Sequence, residues 1–397
     1  MLFDDEKALA GVTATLDTPA AAAANLATRM TATWFDLAGH ALDVGTRYWT
    51  DAFQRGATPV DVLDDAALWM RTVAGRREPT WSLANTVVAS SPIIRLRDFS
   101  PPGAAAAVPT LILPPQAGHH SCIVDYSERQ SQVGVALAAG CDRLFVLEWL
   151  EATAATAGSS IVEYVDSVRD AIAHVGEPVH LIGDCQGGWL AAIVAALDPG
   201  SVASLTIGAA PIDFHAGDGP LLDNIALTSG LAGAPYRALV EAGGGVLRGE
   251  VMVAGFIALA PEDEGRKQLD LLLSIHDDEY VRRYADFEDW FKHTQDIAGA
   301  FYLWIVEHLF EGNELAAGTL RVAGRTVDLG QIRCPVNILA GSRDHITPPE
   351  QAFALAGLVG TAPDRVRCEL VDGGHLGLFM GRAPLRDHWA PLFRSLA

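Results

Sequence analysis

Val179-His180-Leu181-Ile182-Gly183-Asp184-Cys185-Gln186-Gly187-Gly188-Trp189 is the stretch on which the fold turns. Residues 179–182 suit a buried strand, an Ala-rich helix follows as far as Asp198-Pro199, and a G-x-C-x-G turn lies between them. This is the pattern of a nucleophile elbow, with Cys185 where serine usually stands. The turn is tight enough that backbone passes closely at two points, and Gly183 and Gly187 leave that room. The sulfur is thereby pushed into a cleft, with a helix N-terminus behind it that stabilises a thiolate. A carboxylate at Asp184 pointing the same way would oppose that charge, so its side chain is expected to point elsewhere. Two other glycine-rich readings fail on the same residues. A phosphate-binding loop needs Lys and Ser/Thr after Gly188, where Trp189-Leu190 stand, and a dinucleotide fingerprint needs Gly at 185. Gly243-Gly244-Gly245 follows a helical-looking segment and reads as a loop. No cofactor and no metal are expected.

On both sides of the elbow, short apolar runs alternate with amphipathic helices, the signature of βαβ crossovers on a parallel sheet. Strands are expected at 110–113, 144–148, 179–182, 202–207, 336–340 and 366–371, with β-rich runs at 86–88 and 93–96. One connecting helix is fully marked. Ser160 and Glu163 make a capping box, Ile161, Val165, Val168, Ile172 and Val175 make the apolar stripe, and Gly176 ends it. From about 24 to 74 the apolar residues Trp34, Leu37, Ala41, Val44, Tyr48 and Ala52 recur at helical spacing and are assigned to packing. Between 211 and 329 the alternation breaks into a mostly helical segment with Trp290, Phe291, Phe301, Tyr302 and Trp304. The expected organisation is a helical N-terminal segment (1–80), a first core part with the elbow (81–210), a helical cap insertion (211–329) and a second core part (330–397).

The partners of an elbow nucleophile follow in the order acid, then His. Asp344 lies just past the strand at 336–340, and Thr347 to Glu350 is expected to cap the next helix. His375 lies in the glycine-rich loop Asp372-Gly373-Gly374-His375-Leu376-Gly377 after the strand at 366–371. Asp344 can then orient His375, and His375 can take the proton of Cys185. Asp372 is the alternative acid, but it stands close to His375 in sequence. The oxyanion hole is expected from the amide of Gln186 with a second donor at Gln116 or Ala117, in the loop after the strand at 110–113. His119 and His345 read equally as substrate contacts or as residues behind them, and His180, inside a strand, as a satisfied core residue. Cys122, Cys141, Cys334 and Cys368 read as inert small hydrophobes.

The chain has 397 residues, half of them hydrophobic and 19% charged, so it can bury a sizeable core. Its 28 Lys+Arg against 49 Asp+Glu give a net charge of −21, the wrong sign for nucleic acid or an anionic membrane. Five scattered cysteines form no CxxC pair, and the start Met1-Leu2-Phe3-Asp4-Asp5-Glu6 is acidic where a secretory signal is basic. A cytoplasmic protein is expected. The most apolar run, Val251 to Ala260, is shorter than the roughly 20 residues of a bilayer span.

Through Gly183 to Gly188, Asp344-His345-Ile346-Thr347-Pro348 and Gly374-His375-Leu376-Gly377, the chain resembles the polyhydroxyalkanoate synthase-like branch of the α/β-hydrolases. The resemblance covers about 110–380. It is closer to a synthase-related bacterial family of unassigned activity, through Cys185-Gln186-Gly187-Gly188-Trp189, Ala117-Gly118-His119 and Gln132-Val133-Gly134-Val135-Ala136-Leu137. It implies an α/β-hydrolase fold, an acylated Cys185, His375 as base and Asp344 as its acid partner. The chain departs from synthases at Asp184, where they carry an aromatic residue, at Leu150-Glu151-Ala152 and at Gly381-Arg382-Ala383-Pro384. The expected function is a cysteine-dependent acyl transfer that cleaves a small or oligomeric ester or thioester, of 3-hydroxyacyl or polyhydroxyalkanoate type, through an acyl-enzyme. The alternatives are a synthase polymerising hydroxyacyl-CoA, and a non-enzymatic relative that binds a granule or partner. The Trp-rich lead-in leaves room for a homodimer.

Overall fold

The computed structural model describes residues 17–104, 107–176 and 178–397. The acidic start at 1–6 and Ala105-Ala106 of the short Ala run lie outside the described residues. Eight strands make the central sheet: β1 Thr86–Ser90, β2 Ile94–Asp98, β3 Thr110–Leu113, β4 Leu144–Trp149, β5 Val179–Asp184, β6 Val202–Gly208, β7 Val336–Gly341 and β8 Val366–Val371. Their spatial order is β1-β2-β4-β3-β5-β6-β7-β8. β1 and β2 pair antiparallel with their neighbours, and the remaining pairs are parallel. This is the α/β-hydrolase fold that the alternation implies, and each strand read from the sequence is present to within two residues at either end. β3 and β4 are buried on both faces, which is why they read as unbroken apolar runs rather than alternating ones.

Helices α1 Pro19–Arg55 and α2 Pro59–Ala74 precede the sheet, and α3 Gln132–Ala138, α4 Ile161–Val175 and α5 Gln186–Leu197 lie between its strands. The lead-in is broken where local chemistry dictates. Gly56 takes the left-handed conformation that ends α1, and Thr58 and Asp61 form the capping box that starts α2 behind Pro59. α4 carries the expected Ser160–Glu163 box and stops at Gly176. α5 is buried from Gly187 to Leu197, so it needs no polar face and shows none.

The connection from β6 to β7 is mostly helical and includes α6 Pro220–Thr228, α7 Ala234–Ala242, α8 Gly249–Leu259, α9 Pro261–Leu273, α10 Asp278–Phe291 and α11 Gly299–Trp304, which a wider helical turn continues over Ile305–Glu311. α12 Pro349–Leu358 follows β7 with Pro348 at its N-cap and no side-chain cap hydrogen bond, so the cap expected from Thr347 to Glu350 does not form, and α13 His375–Met380 follows β8. No helix of the described residues is long and apolar enough to cross a membrane.

α1 has two apolar faces. Val44, Tyr48 and Ala52 are buried on the inner one. Tyr48 donates to Asp65 of α2 at 2.9 Å, and His40 lies 2.9 Å from Asp270 of α9. The expected packing stripe therefore holds for Val44, Tyr48 and Ala52, is half-buried at Leu37, and fails at the exposed Ala41 and at Trp34, which is 68% exposed. At about 100° per residue, Trp34 sits on the margin of the inner face. Phe35, Leu42, Trp49 and Phe53 form a second stripe on the solvent side.

Candidate active site

Cys185 stands between the end of β5 and the start of α5 with φ 51° and ψ −118°. For a residue with a side chain this is a strained conformation that the surroundings must impose. Hydrogen bonds on both sides impose it: Cys185 N donates to Gly208 O at 2.7 Å, and Gly188 N donates to Cys185 O at 2.9 Å. Close packing completes the restraint. A side chain at position 187 would overlap the Leu113 carbonyl of β3, and one at 183 would overlap the backbone of Gly187. These are the two close approaches for which the sequence supplies glycine.

Asp344 follows β7 and is locked by its own loop, its Oδ1 accepting from Ile346 N at 2.9 Å and Thr347 N at 2.8 Å. Its Oδ2 lies 2.7 Å from His375 Nδ1. That contact fixes the proton on Nδ1 and leaves Nε2 for the sulfur. Burial works to lower the His375 pKa, but the charges of Asp344 and Cys185, with hydrogen bonds to both, outweigh it and hold the imidazole well above its ordinary value. Asp372, the alternative acid, lies at the surface 3.1 Å from Arg343. The structure thus brings Cys185, His375 and Asp344 into one cluster at the carboxyl edge of the sheet.

Cys185 opens into a cavity of about 220 Å³, and Gln186, Gln116 and Ala117 line it at the same end. The Oε1 atoms of Gln116 and Gln186 are buried without a hydrogen-bond partner among the described residues. Met252, Phe256 and Leu259 of α8 cover the cavity, and Tyr302 of α11 and Phe310 close its side. No charged side chain is among the lining residues.

His119 is not part of this lining. Its ring stacks on Trp290 at 4.6 Å and Phe291 at 5.1 Å, and burial lowers its pKa to about 4. It ties the loop after β3 to α10. His345, half-buried, also lies off the cavity. His180 Nδ1 is 2.7 Å from Ser204 Oγ, a satisfied strand residue. Cys122 and Cys141 are buried, and none of the five cysteines forms a disulfide.

Asp184 turns away from the cavity into full burial, where its Oδ1 accepts from Gln132 Nε2 at 3.4 Å. Sequence reasoning quoted Gln132 only as part of a resemblance. It also read the run 251–260 only as too short for a bilayer, although an apolar helix beside a cleft is what a cavity roof requires.

The family model described as "Protein of unknown function (DUF3141)" matches residues 96–380. The chain belongs to this family. This DUF3141 chain is 26% identical over 302 residues to the poly(3-hydroxyalkanoate) polymerase subunit PhaC of Allochromatium vinosum, across 74% of this chain and 82% of that protein. It is 26% identical to the same-named subunit of Haloferax mediterranei, across 67% of this chain and 54% of that protein. An uncharacterized protein of Rhizobium meliloti is 28% identical across 70% of this chain and 40% of its own length. Among solved structures, a thermophilic esterase from Thermogutta terrifontis is similar with a TM-score of 0.44 at 15% identity, over 81% of this chain and 99% of that one. Membership of this family and the similarity to polymerase subunits fit the polyhydroxyalkanoate synthase-like branch of the α/β-hydrolases that the motifs resemble.

Proposed function

We propose that this protein is an acyl-transfer enzyme that works through an S-acyl Cys185 intermediate. The observation that carries the reading is the cluster Cys185–His375–Asp344, whose Cys185 lines a largely apolar cavity. The Cys185 thiolate attacks the carbonyl carbon of an ester or thioester, and the carbonyl electrons move onto oxygen. Amides of Gln186 and of Gln116 or Ala117 receive that oxyanion. Its collapse breaks the bond to the leaving alkoxide or thiolate, which takes the His375 Nε2 proton. Water then loses a proton to His375, attacks the thioester and releases the acid, returning the thiolate and imidazolium. Asp344 stabilises the imidazolium and keeps the ring in register.

The cavity selects for a short acyl group. Its volume is below the roughly 300–1,000 Å³ of pockets for drug-sized ligands, and an uncharged lining leaves any phosphate-bearing leaving group outside. A second reading, polymer synthesis from hydroxyacyl-CoA, is favoured by the polymerase subunits at 26% identity.

Intact-mass analysis after exposure to a panel of hydroxyacyl esters and acyl-CoAs tests the proposal. Wild type gains one acyl increment and Cys185→Ala gains none. An undiminished adduct on Cys185→Ala overturns the reading. Insoluble polyester in place of free acid transfers the assignment to the synthase.

A further inference from the structure

Behind the nucleophile, a buried acid and a buried amide face each other with too few protons. Asp184 and Gln132 are both fully buried. Gln132 opens α3, and its Nε2 donates to Asp184 Oδ1 at 3.4 Å. Asp184 Oδ2 and Gln132 Oε1 are shut off from solvent, and neither has a hydrogen-bond partner among the described residues. An ionised Asp184 would therefore be a carboxylate on one long hydrogen bond, beside a second bare acceptor. Buried oxygens are seldom left so.

The neighbouring elements offer little relief. On β6 the facing residue is Gly208, with Trp389 behind it. At the α3 N-cap, Ser131 Oγ already donates to Asp125, another buried acid. The charge that acts on Asp184 is that of His375, which is shared with Asp344 and Cys185.

We propose that Asp184 is a neutral carboxylic acid whose O–H donates to Gln132 Oε1 while Gln132 Nε2 donates to Asp184 Oδ1, a closed pair that positions the residue before Cys185. One proton satisfies both bare oxygens. Burial pushes Asp184 up to about 8, only partly countered by the Gln132 hydrogen bond and the charge of His375. The pair is thus closed at neutral pH and opens in alkali. Ionisation then places a negative charge one residue from the thiolate, where it opposes that charge and holds the proton on His375 more tightly. That kinetic consequence rests on the acyl-transfer reading, whereas the protonation state does not.

Infrared difference spectra of the full chain with carboxyl-labelled aspartate, taken from about pH 6 to about pH 10, read the acid directly. Wild type shows a protonated-carboxyl band at neutral pH that titrates away near pH 8, and Asp184→Asn lacks it. In parallel, iodoacetamide alkylation of Cys185 falls about threefold or more below its extrapolated rate as the band disappears. Asp184→Asn, which keeps one donor and one acceptor, loses that inflection. Its melting point also gains on that of wild type as pH rises from about 4 to about 8, because an acid whose folded pKa is raised loses its stabilising contribution between its unfolded and folded values, and the gap stays constant above that. Asp184→Leu strands the Gln132 amide and melts lower throughout. A wild type without the neutral-pH band overturns the proposal, as does an Asp184→Asn alkylation profile that superimposes on wild type. If the band is present but Cys185→Ala still forms the acyl adduct, the acyl-transfer reading falls and the acid–amide pair stands.

Discussion

At one end of the cavity, Gly183 and Gly187 press against neighbouring backbone and Cys185 is bent to φ 51°. At the other end, Gly255 of α8 has open space around it, and Met252, Phe256 and Leu259 are only half-buried. The floor is held by main-chain contacts that no side-chain adjustment can relieve, while the roof rests on apolar side chains that can rearrange. Position of the nucleophile is thus a property of the sheet, and choice of acyl group a property of a loosely supported helix. Sites that combine a rigid scaffold with adaptable covering segments follow the same division.

The sharpest way to break this contrast is Gly187→Ala. The added carbon would overlap the Leu113 carbonyl and lie 2.8 Å from Leu113 C, so a loss of about 4 kcal/mol or more is expected, measured by urea unfolding. Gly255→Ala on the roof should cost nothing by the same assay, and α8 should gain up to about 1 kcal/mol in helix propensity. Next in size is the loss of orientation at His375. Asp344→Asn should slow acylation by about 10³- to 10⁴-fold in stopped-flow assays. It should also lower the thermal midpoint more at about pH 6 than at about pH 10. The raised His375 pKa contributes stability that is complete below its unfolded value and lost as pH rises through the folded one.

Phe256→Ala tests the roof from the other side. Stability should change by less than about 1 kcal/mol, while the kcat/KM ratio between shorter and longer acyl esters should shift by about tenfold. The smallest effect belongs to the outer face of α1. Phe53→Ser should alter unfolding by about 0.5 kcal/mol or less, yet it should shorten retention on a hydrophobic-interaction column.

The floor was legible in the sequence and the roof was not, for a physical reason. A strand-to-helix turn is local, so Gly183, Cys185 and Gly187 carry its geometry within five residues. Asp344 and His375 are legible by their places just past two strand ends. α8 lacks a one-sided pattern because one face lines the cavity while the other is partly exposed, and both are apolar. The Gln132–Asp184 contact spans 52 positions between α3 and β5, and no local pattern announces such a pairing. The lead-in shows a different limit. Helical periodicity revealed an apolar stripe but could not say which of two stripes meets the rest of the chain. The break at Gly56–Thr58–Pro59 did carry its signals, a left-handed terminator and a capping threonine before proline.

The outer surface of α1 supplies a built-in optical reporter. Trp34 and Trp49 are 68% and 51% exposed, whereas Trp149, Trp189, Trp290 and Trp389 are each at or below 2%. Trp69, Trp81 and Trp304 are half-buried, so quenching by acrylamide will draw most strongly on Trp34 and Trp49. Anything that settles on the helix in solution will register as a blue-shifted, protected emission without any label being attached.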